Sequence, residues 1–211
     1  MTERNMRRFL KWLAISVCVI LAILILAALS VWGYSRTIIW SKPGSLKVGV
    51  APGPLGAKVD PFIGTGGFTY MCAHNTVAAA TPFGMVRLSP DTESILIGER
   101  ALNRSGYYYN DNRMIGFSHT RLVGADAKEG GVFRIFPTVA SRAEKNRAKD
   151  RFARFSHRNE AAFPGYYAVA LPKDNVLAEL TASTRVGVHR YTFRNGEAPH
   201  LLVDVTSAIG K

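Results

Sequence analysis

A run of 23 residues without a charged side chain, Trp12 to Tyr34, constrains this 211-residue chain more than any other feature. At about 1.5 Å per residue, a helix of that length spans roughly 35 Å, enough to cross a hydrocarbon core about 30 Å thick. Leu, Ile, Val and Ala fill its centre, and Trp12, Trp32 and Tyr34 lie at its ends, where aromatic rings suit a membrane–water interface. The run therefore predicts a transmembrane helix over residues 12–34.

The charges on either side of this run predict its orientation. Only Arg36 follows it closely, whereas four basic residues precede it: Arg4, Arg7, Arg8 and Lys11. By the positive-inside rule, residues 1–11 stay in the cytoplasm and the rest is exported to the periplasm or the cell exterior. A cleaved signal peptide is the alternative, with Ala28-Leu29-Ser30 as a poor cleavage site, but its apolar core is usually about 7–15 residues. We expect an uncleaved, single-pass signal-anchor in the lipid bilayer.

The residue composition of the rest of the chain changes at residue 59. Residues 35–58 are punctuated by Pro and Gly and predict a linker. After them, short runs rich in Val, Ile, Phe, Tyr and Thr are broken about every 8–12 residues by Gly, Pro, Asn or Asp, as in antiparallel sheets. The predicted strands include 84–88, 131–136, 166–171, 186–193 and 200–205, with residues 89–92 as a turn and Asn195-Gly196 as a hairpin turn. Residues 59–211 therefore predict an all-β antiparallel β-sandwich.

The positive charge of the chain raises the question of a nucleic-acid partner. Of the 27 Lys and Arg and the 15 Asp and Glu residues, four basic and one acidic lie before residue 35, so the remainder carries +9. The most basic stretch, residues 141–158, has seven Lys or Arg against Glu144 and Asp150. We interpret it as a solvated connector between strands, and export separates it from most nucleic acid. We therefore expect no nucleic-acid partner.

Two features suggest contact with a carbohydrate. The glycines of residues 59–67 do not have the dinucleotide-binding spacing, and they predict a loop whose backbone passes close to a neighbour or to a sugar. In residues 106–109 and 115–120, aromatic rings accompany hydroxyl and imidazole groups, although such rings can simply fill a sandwich core. The carbohydrate-proximal candidates are Gly66, Gly67 and His119.

No catalytic residue or metal ligand is assigned from the residues themselves. Glycoside hydrolysis needs two carboxyl groups that flank one bond, and the sequence spacing does not show which acidic residues face each other. The acidic candidates are Asp91, Asp111, Asp126 and Glu129. The five histidines have no close metal-ligand spacing.

Several strings of the exported part, in one order, resemble the amino-terminal domain of glycoside hydrolase family 92, the exo-acting, calcium-dependent α-mannosidases. They are residues 59–67, 82–92, 106–109, 115–120, 155–157, 164–167 and 179–193. The resemblance implies a β-sandwich that packs against a helical (α/α) barrel, which supplies the general acid, the general base and the calcium ligands. It also implies α-mannoside glycans as ligands. One departure is Arg121-Leu122-Val123-Gly124, where the family usually has His-Leu-Ser-Gly.

The expected function is that of a membrane-anchored N-terminal carbohydrate-handling domain of an exported α-mannosidase, a fragment without complete catalytic machinery and without a cofactor of its own. The alternative is a free-standing membrane-anchored module that binds carbohydrate or protein. Without the barrel, the sandwich is expected to expose an apolar face. The candidates for this face are Tyr107, Phe117, Phe133 and Phe136, unless all four are core residues.

Overall fold

The computed structural model describes residues 3–34, 46–66, 75–93, 105–121, 123, 130–139, 152–194 and 198–207. The chain divides into two compact units, Met1–Ser41 and Lys42–Lys211. The described part of the first unit is one α-helix, α1, Glu3–Tyr34. The predicted Asn195-Gly196 turn, Gly67 and most of the basic stretch 141–158 lie outside the described residues.

Helix α1 is longer than the uncharged run within it. It begins at Glu3 because residues 3–11 are largely good helix formers, and Arg7 lies 3.8 Å from Glu3 one turn earlier. Inside the apolar run, the hydroxyl of Ser16 donates to the carbonyl of Trp12 (2.9 Å), so this polar side chain is paired within the helix. By length and composition α1 can cross a membrane, and a signal sequence near the N-terminus would meet the same criteria.

The second unit begins with a short 3-10 turn, Gly56–Lys58, and then forms two antiparallel sheets. The five strands of the first sheet are β1 Ser89–Glu93, β2 Arg113–Ser118, β3 Arg134–Val139, β4 Ala153–Arg154 and β9 Pro199–Asp204. Their order is β1-β2-β3-β9, and β4 pairs with the start of β2. Strand β1 is therefore an edge strand, and β9 is the last strand on the opposite side.

The second sheet is a four-stranded meander in the order β5-β6-β7-β8. Its strands are β5 Glu160–Phe163, β6 Tyr166–Leu171, β7 Val176–Ala182 and β8 Gly187–Phe193. A 3-10 turn, His157–Asn159, leads into β5, and the hydroxyl of Ser156 accepts from the Arg158 amide at its start. Each strand pairs with its neighbour in the sequence, so short turns fix the register.

The core lies between the inner faces of the two sheets. Met114, Phe117 and Phe136 come from the first sheet, and Tyr167 and Leu180 come from the second, in one cluster of buried residues. Burying apolar area of this kind stabilises the fold by about 25 cal/mol per Å². The prediction of an all-β antiparallel sandwich preceded by one apolar helix is confirmed.

Agreement for individual strands depends on their pattern. The predicted strand 166–171 coincides with β6, and 186–193 and 200–205 agree with β8 and β9 to one residue at either end. The predicted strand 84–88 is wrong, since it forms only isolated bridges at Arg87 and Leu88. The predicted turn 89–92 is instead most of β1, where Pro90 is tolerated because β1 is an edge strand.

The aromatic residues assigned to an exposed face are mostly core residues. Tyr107, Phe117 and Phe136 are buried, so that prediction is wrong for these three. Phe117 lies in β2 and its ring meets that of Tyr191 from the second sheet at 6.1 Å, which explains its burial. Phe133, which precedes β3, is half-buried.

Candidate functional site

The loop that carries Gly66 is a series of tight turns closed by its own hydrogen bonds. The carboxylate of Asp60 accepts from the Phe62 amide (2.9 Å), and the carbonyl of Phe62 accepts from the Thr65 hydroxyl (2.8 Å). The side-chain amide of Asn75 donates to the carbonyl of Ile63 (2.9 Å) and joins the loop to the chain that follows. Internal hydrogen bonds therefore define the shape of the described part of this loop.

Gly66 is required by a close approach to Tyr109. A Cβ at position 66 would lie 2.9 Å from the Cβ of Tyr109, closer than side chains pack. The amide of Tyr109 also donates to the carbonyl of Thr65 (2.9 Å), which holds the two backbones together. The sequence prediction of a loop that passes close to a neighbour is confirmed at Gly66, and the neighbour is Tyr109.

Behind this loop lies a buried carboxylate, Glu160, which sequence reasoning missed. The ring of Tyr109 stacks on His157 (4.0 Å between centroids, 5° between planes), and Nδ1 of His157 lies 2.5 Å from Oε1 of Glu160. The hydroxyls of Tyr107 and Tyr167 donate to the same carboxylate at 3.1 and 2.6 Å. A buried carboxylate with several hydrogen-bond donors is satisfied. This Glu160 cluster therefore holds Tyr109, the residue against which Gly66 packs.

The phenols of this cluster remain protonated. Burial raises the pKa of Tyr107 well above its ordinary value, and the charge of Glu160 raises it further. The pKa of Tyr167 is raised by the same two causes, burial and the charge of Glu160. Neither phenol is a proton-transfer group near neutral pH, so they act as fixed hydrogen-bond donors. The three-residue spacing of His157 and Glu160 was the signal available in the sequence.

The acidic candidates are held by internal donors. Asp91, in β1, is fully buried and accepts from the hydroxyl of Ser118 (2.9 Å) as well as from the guanidinium of Arg121. Asp111 is also buried and accepts from the hydroxyl of Thr92 (2.8 Å). Asp126 and Glu129 lie outside the described residues. Within the described part of the chain, no two of these carboxyl groups flank an open cleft.

His119 lies directly after β2 and faces a second histidine. Its Nε2 is 3.0 Å from Nε2 of His189 in β8, and Nδ1 of His189 is 2.7 Å from the hydroxyl of Tyr191. Burial lowers the pKa of His119; burial and then the charge of His119 lower the pKa of His189 to about 4. Both imidazoles are therefore neutral at pH 7. Nδ1 of His119 finds no hydrogen-bond partner among the described residues.

The structure does not bring Gly66 and His119 together. Gly66 lies against Tyr109, just before β2, whereas His119 follows the last residue of β2. A six-residue strand is about 17 Å long, so one sugar residue cannot contact both positions. Gly67, the third candidate, is outside the described residues.

Calcium prefers six to eight oxygen ligands, carboxylates among them. Within the described ranges, no group of three or more His, Cys, Asp or Glu side chains is placed to hold a metal ion. The two buried carboxylates above are already paired with internal donors. These described residues do not fit a calcium site.

Two antiparallel sheets and a glycine loop closed by its own hydrogen bonds define a β-sandwich class of domain. Residues 58–211 match the family model described as the Glycosyl hydrolase family 92 N-terminal domain. The chain belongs to glycosyl hydrolase family 92, and residues 58–211 are its N-terminal domain. The resemblance seen in the sequence is confirmed.

Solved structures agree with this assignment. The family GH92 α-mannosidase BT3965 from Bacteroides thetaiotaomicron is 32% identical with a TM-score of 0.59; the match covers 72% of this chain and 20% of that one. The GH92 family glycosyl hydrolase ccman5 is 31% identical, with a TM-score of 0.57 and coverages of 71% and 20%. The inverting mannosidase BT2199 from Bacteroides thetaiotaomicron VPI-5482 is 28% identical, with a TM-score of 0.52 and coverages of 69% and 19%. No curated protein matches the chain.

The matched region is a small part of each solved relative. This chain spans about a fifth of the length of the relatives whose structures it matches. The similarity therefore covers an N-terminal domain and leaves most of each relative unmatched.

Proposed function

We propose that this chain is the membrane-anchored, exported N-terminal domain of an α-mannosidase, and that it handles α-mannoside glycans beside a helical-barrel catalytic domain. The observation that carries the proposal is the family match over residues 58–211, together with structural similarity to GH92 α-mannosidases. One solved complex of the relative BT3965 contains mannoimidazole. Hydrolysis itself belongs, in this proposal, to the barrel together with calcium.

The anchor rests on helix α1. Its residues from Trp12 to Tyr34 carry no charge, and Arg4, Arg7, Arg8 and Lys11 precede them. The helix is long and apolar enough to cross a membrane. A bilayer is the environment in which such a surface is stable, and the basic residues place the N-terminus in the cytoplasm. The sandwich then lies in the periplasm or outside the cell.

The carbohydrate-handling surface rests on the Gly66 loop. At Gly66 the backbone is partly exposed, and the side-chain oxygen of Asn110 lies 3.5 Å from where a Cβ would be. Asn75 is also exposed, and its carboxamide, which donates to the carbonyl of Ile63, is a second one at this loop. Amide groups and an open glycine backbone are the donors and acceptors that sugar hydroxyls need. The cluster of Tyr109, His157 and Glu160 keeps them in place.

The proposal is tested with the full chain in detergent micelles, titrated with methyl α-mannoside and α-linked mannobioses and followed by saturation-transfer NMR. Gly66→Ala places a Cβ against Tyr109 and should abolish the transfer signal. Gly53→Ala is the matched control, since nothing lies within 4 Å of its Cβ position. Absence of a signal from the unmodified chain, or a signal that Gly66→Ala leaves unchanged, contradicts carbohydrate handling at this loop.

An activity assay separates the domain from the free-standing module. The chain alone should release no mannose from an α-mannoside above a denatured control, with or without calcium, because the described residues contain no acid–base pair. Adding a separately produced family 92 barrel domain should give a stable complex. A chain that binds mannosides but forms no complex with the barrel favours the free-standing module.

A further inference from the structure

We propose that His119 and His189 form a binding site for a divalent first-row transition metal ion such as Zn²⁺, Ni²⁺ or Co²⁺. The two imidazoles come from different sheets and are 70 residues apart in the sequence. Neither ring belongs to the Gly66 loop or to the buried Glu160 cluster. A bound ion would therefore connect the two sheets at the end of β2.

The separation of the two ring nitrogens suits a shared ion. The Nε2 atoms are 3.0 Å apart and face each other. When two nitrogens coordinate the same ion at about 2.1 Å, they are roughly 3.0 Å apart in octahedral geometry and roughly 3.4 Å apart in tetrahedral geometry. An ion can thus replace the hydrogen bond between the rings with a movement of a few tenths of an ångström.

The surroundings orient both rings as metal ligands. Nδ1 of His189 lies 2.7 Å from the hydroxyl of Tyr191, the outer-shell contact that leaves the opposite nitrogen for a metal. The ring of His119 stacks on Phe133 at 4.4 Å. A Cβ at Gly187 would lie 3.1 Å from Nε2 of His119, so glycine keeps the ligand edge of that ring open.

The ligand type and the solvent exposure of the two rings indicate which ion fits. Each imidazole offers one ring nitrogen, Nε2, toward the other, and a ring nitrogen is a neutral nitrogen ligand. Both are only partly buried, so water can reach the ion and complete its coordination. Imidazole suits Zn²⁺, Ni²⁺ and Co²⁺, whereas Ca²⁺ prefers oxygen ligands. The site is therefore distinct in chemistry from the calcium that the family's barrel is expected to bind.

The test uses the full chain without a histidine tag, in micelles, with its cysteines alkylated, titrated with Zn²⁺ by calorimetry and with Co²⁺ by absorbance. One ion per chain should bind saturably, and His119→Gln and His189→Gln should each remove that binding. Tyr191→Phe should weaken it about 10–100-fold, as the loss of an outer-shell partner does. His200→Gln, an exposed residue of β9, is the matched control and should change nothing.

A second measurement needs no variant and guards against misfolding. Carbethoxylation of histidines, mapped by peptide mass, should be suppressed by Zn²⁺ at His119 and His189 but not at His200. Calcium at the same concentration should protect neither. The proposal is overturned if no saturable binding occurs, if the two glutamine variants fold and still bind, or if Zn²⁺ leaves His119 and His189 as reactive as before.

Discussion

Arg121 and Asp91 form a bidentate ion pair that is completely removed from solvent. Nε and Nη2 of Arg121 donate to the two carboxylate oxygens of Asp91 at 3.0 and 2.9 Å. Further donor groups of the guanidinium reach the carbonyls of Gly130 and Ser207 at 3.4 Å. Gly131, with φ +64°, leaves room for the guanidinium, since a Cβ there would contact it. The pair connects β1, the end of β2 and the chain after β9.

Arg121→Met is expected to destabilise the domain by about 3–5 kcal/mol, because it removes the bidentate partner of the buried Asp91 carboxylate, while the guanidinium of Arg134 lies farther away, at 3.8 Å. Arg113→Met is the control: Arg113 pairs with Glu93 at 3.0 Å, but both side chains are about a fifth exposed. It should cost about 1 kcal/mol or less. Urea unfolding, followed by far-UV circular dichroism, measures the free energy of unfolding of both variants. Equal urea midpoints for the two variants would show that the buried ion pair contributes no more to stability than the partly exposed one.

The His119–His189 pair should make stability fall in mild acid. Both imidazoles have a pKa below 6.5 in the folded chain, that of His189 at about 4, whereas unfolding restores the ordinary value near 6.5. The unfolded chain therefore binds more protons as pH falls from about 6.5 to 4, and stability is lost across that window. The loss should be about 1–2 kcal/mol, since solvent screens a partly exposed pair.

The measurement is the urea midpoint between pH 7.5 and 4.5 in a buffer with a chelator. His189→Gln should flatten the dependence in this window, and His200→Gln should leave it as in the unmodified chain. A dependence that is equally steep in His189→Gln would assign the acid sensitivity to other groups.

Patterns that repeat locally were predictable from the sequence, and contacts between distant residues were not. Strand β6 is a continuous run of Tyr, Ala, Val and Leu with a turn on each side, so its bounds could be read directly. Strand β1 reads Ser-Pro-Asp-Thr-Glu, which favours a turn locally; it is a strand because Arg121, 30 residues later, neutralises Asp91. Tertiary pairing overrides local preference there.

The candidate site follows the same rule. The need for glycine at position 66 was visible as a local pattern, but its neighbour Tyr109 comes from a turn 43 residues later. His119 was singled out among aromatic residues, whereas its partner His189 belongs to the other sheet. Glu160 had only its three-residue spacing from His157 as a local signal, because Tyr107 and Tyr167 are brought to it by the fold.

Replacing Leu21 and Leu24 with Arg should prevent stable membrane insertion. Each central Arg costs roughly 2.5–3.5 kcal/mol on insertion scales, and the two costs fall in the middle of the uncharged run. Leu10→Arg is the control, because Leu10 already lies among basic residues before that run. After an alkaline wash, the unmodified chain and Leu10→Arg should stay in the membrane pellet. Release of the unmodified chain into the wash would refute the anchor.

Phe83→Gly is expected to stabilise the sandwich, which is unusual for the loss of a large aromatic side chain. Phe83 has φ +58°, a left-handed conformation that costs an ordinary residue about 1–2 kcal/mol, and its side chain is 104% exposed, so it contributes no core packing. Glycine adopts this φ freely but loses more entropy on folding, so the net gain should be about 0.5–1 kcal/mol.

Asn175, with φ +50°, is the matched control: Asn tolerates this region, so Asn175→Gly should gain less. Thermal melts of the three chains measure the difference. A lower melting temperature for Phe83→Gly than for the unmodified chain would contradict this prediction.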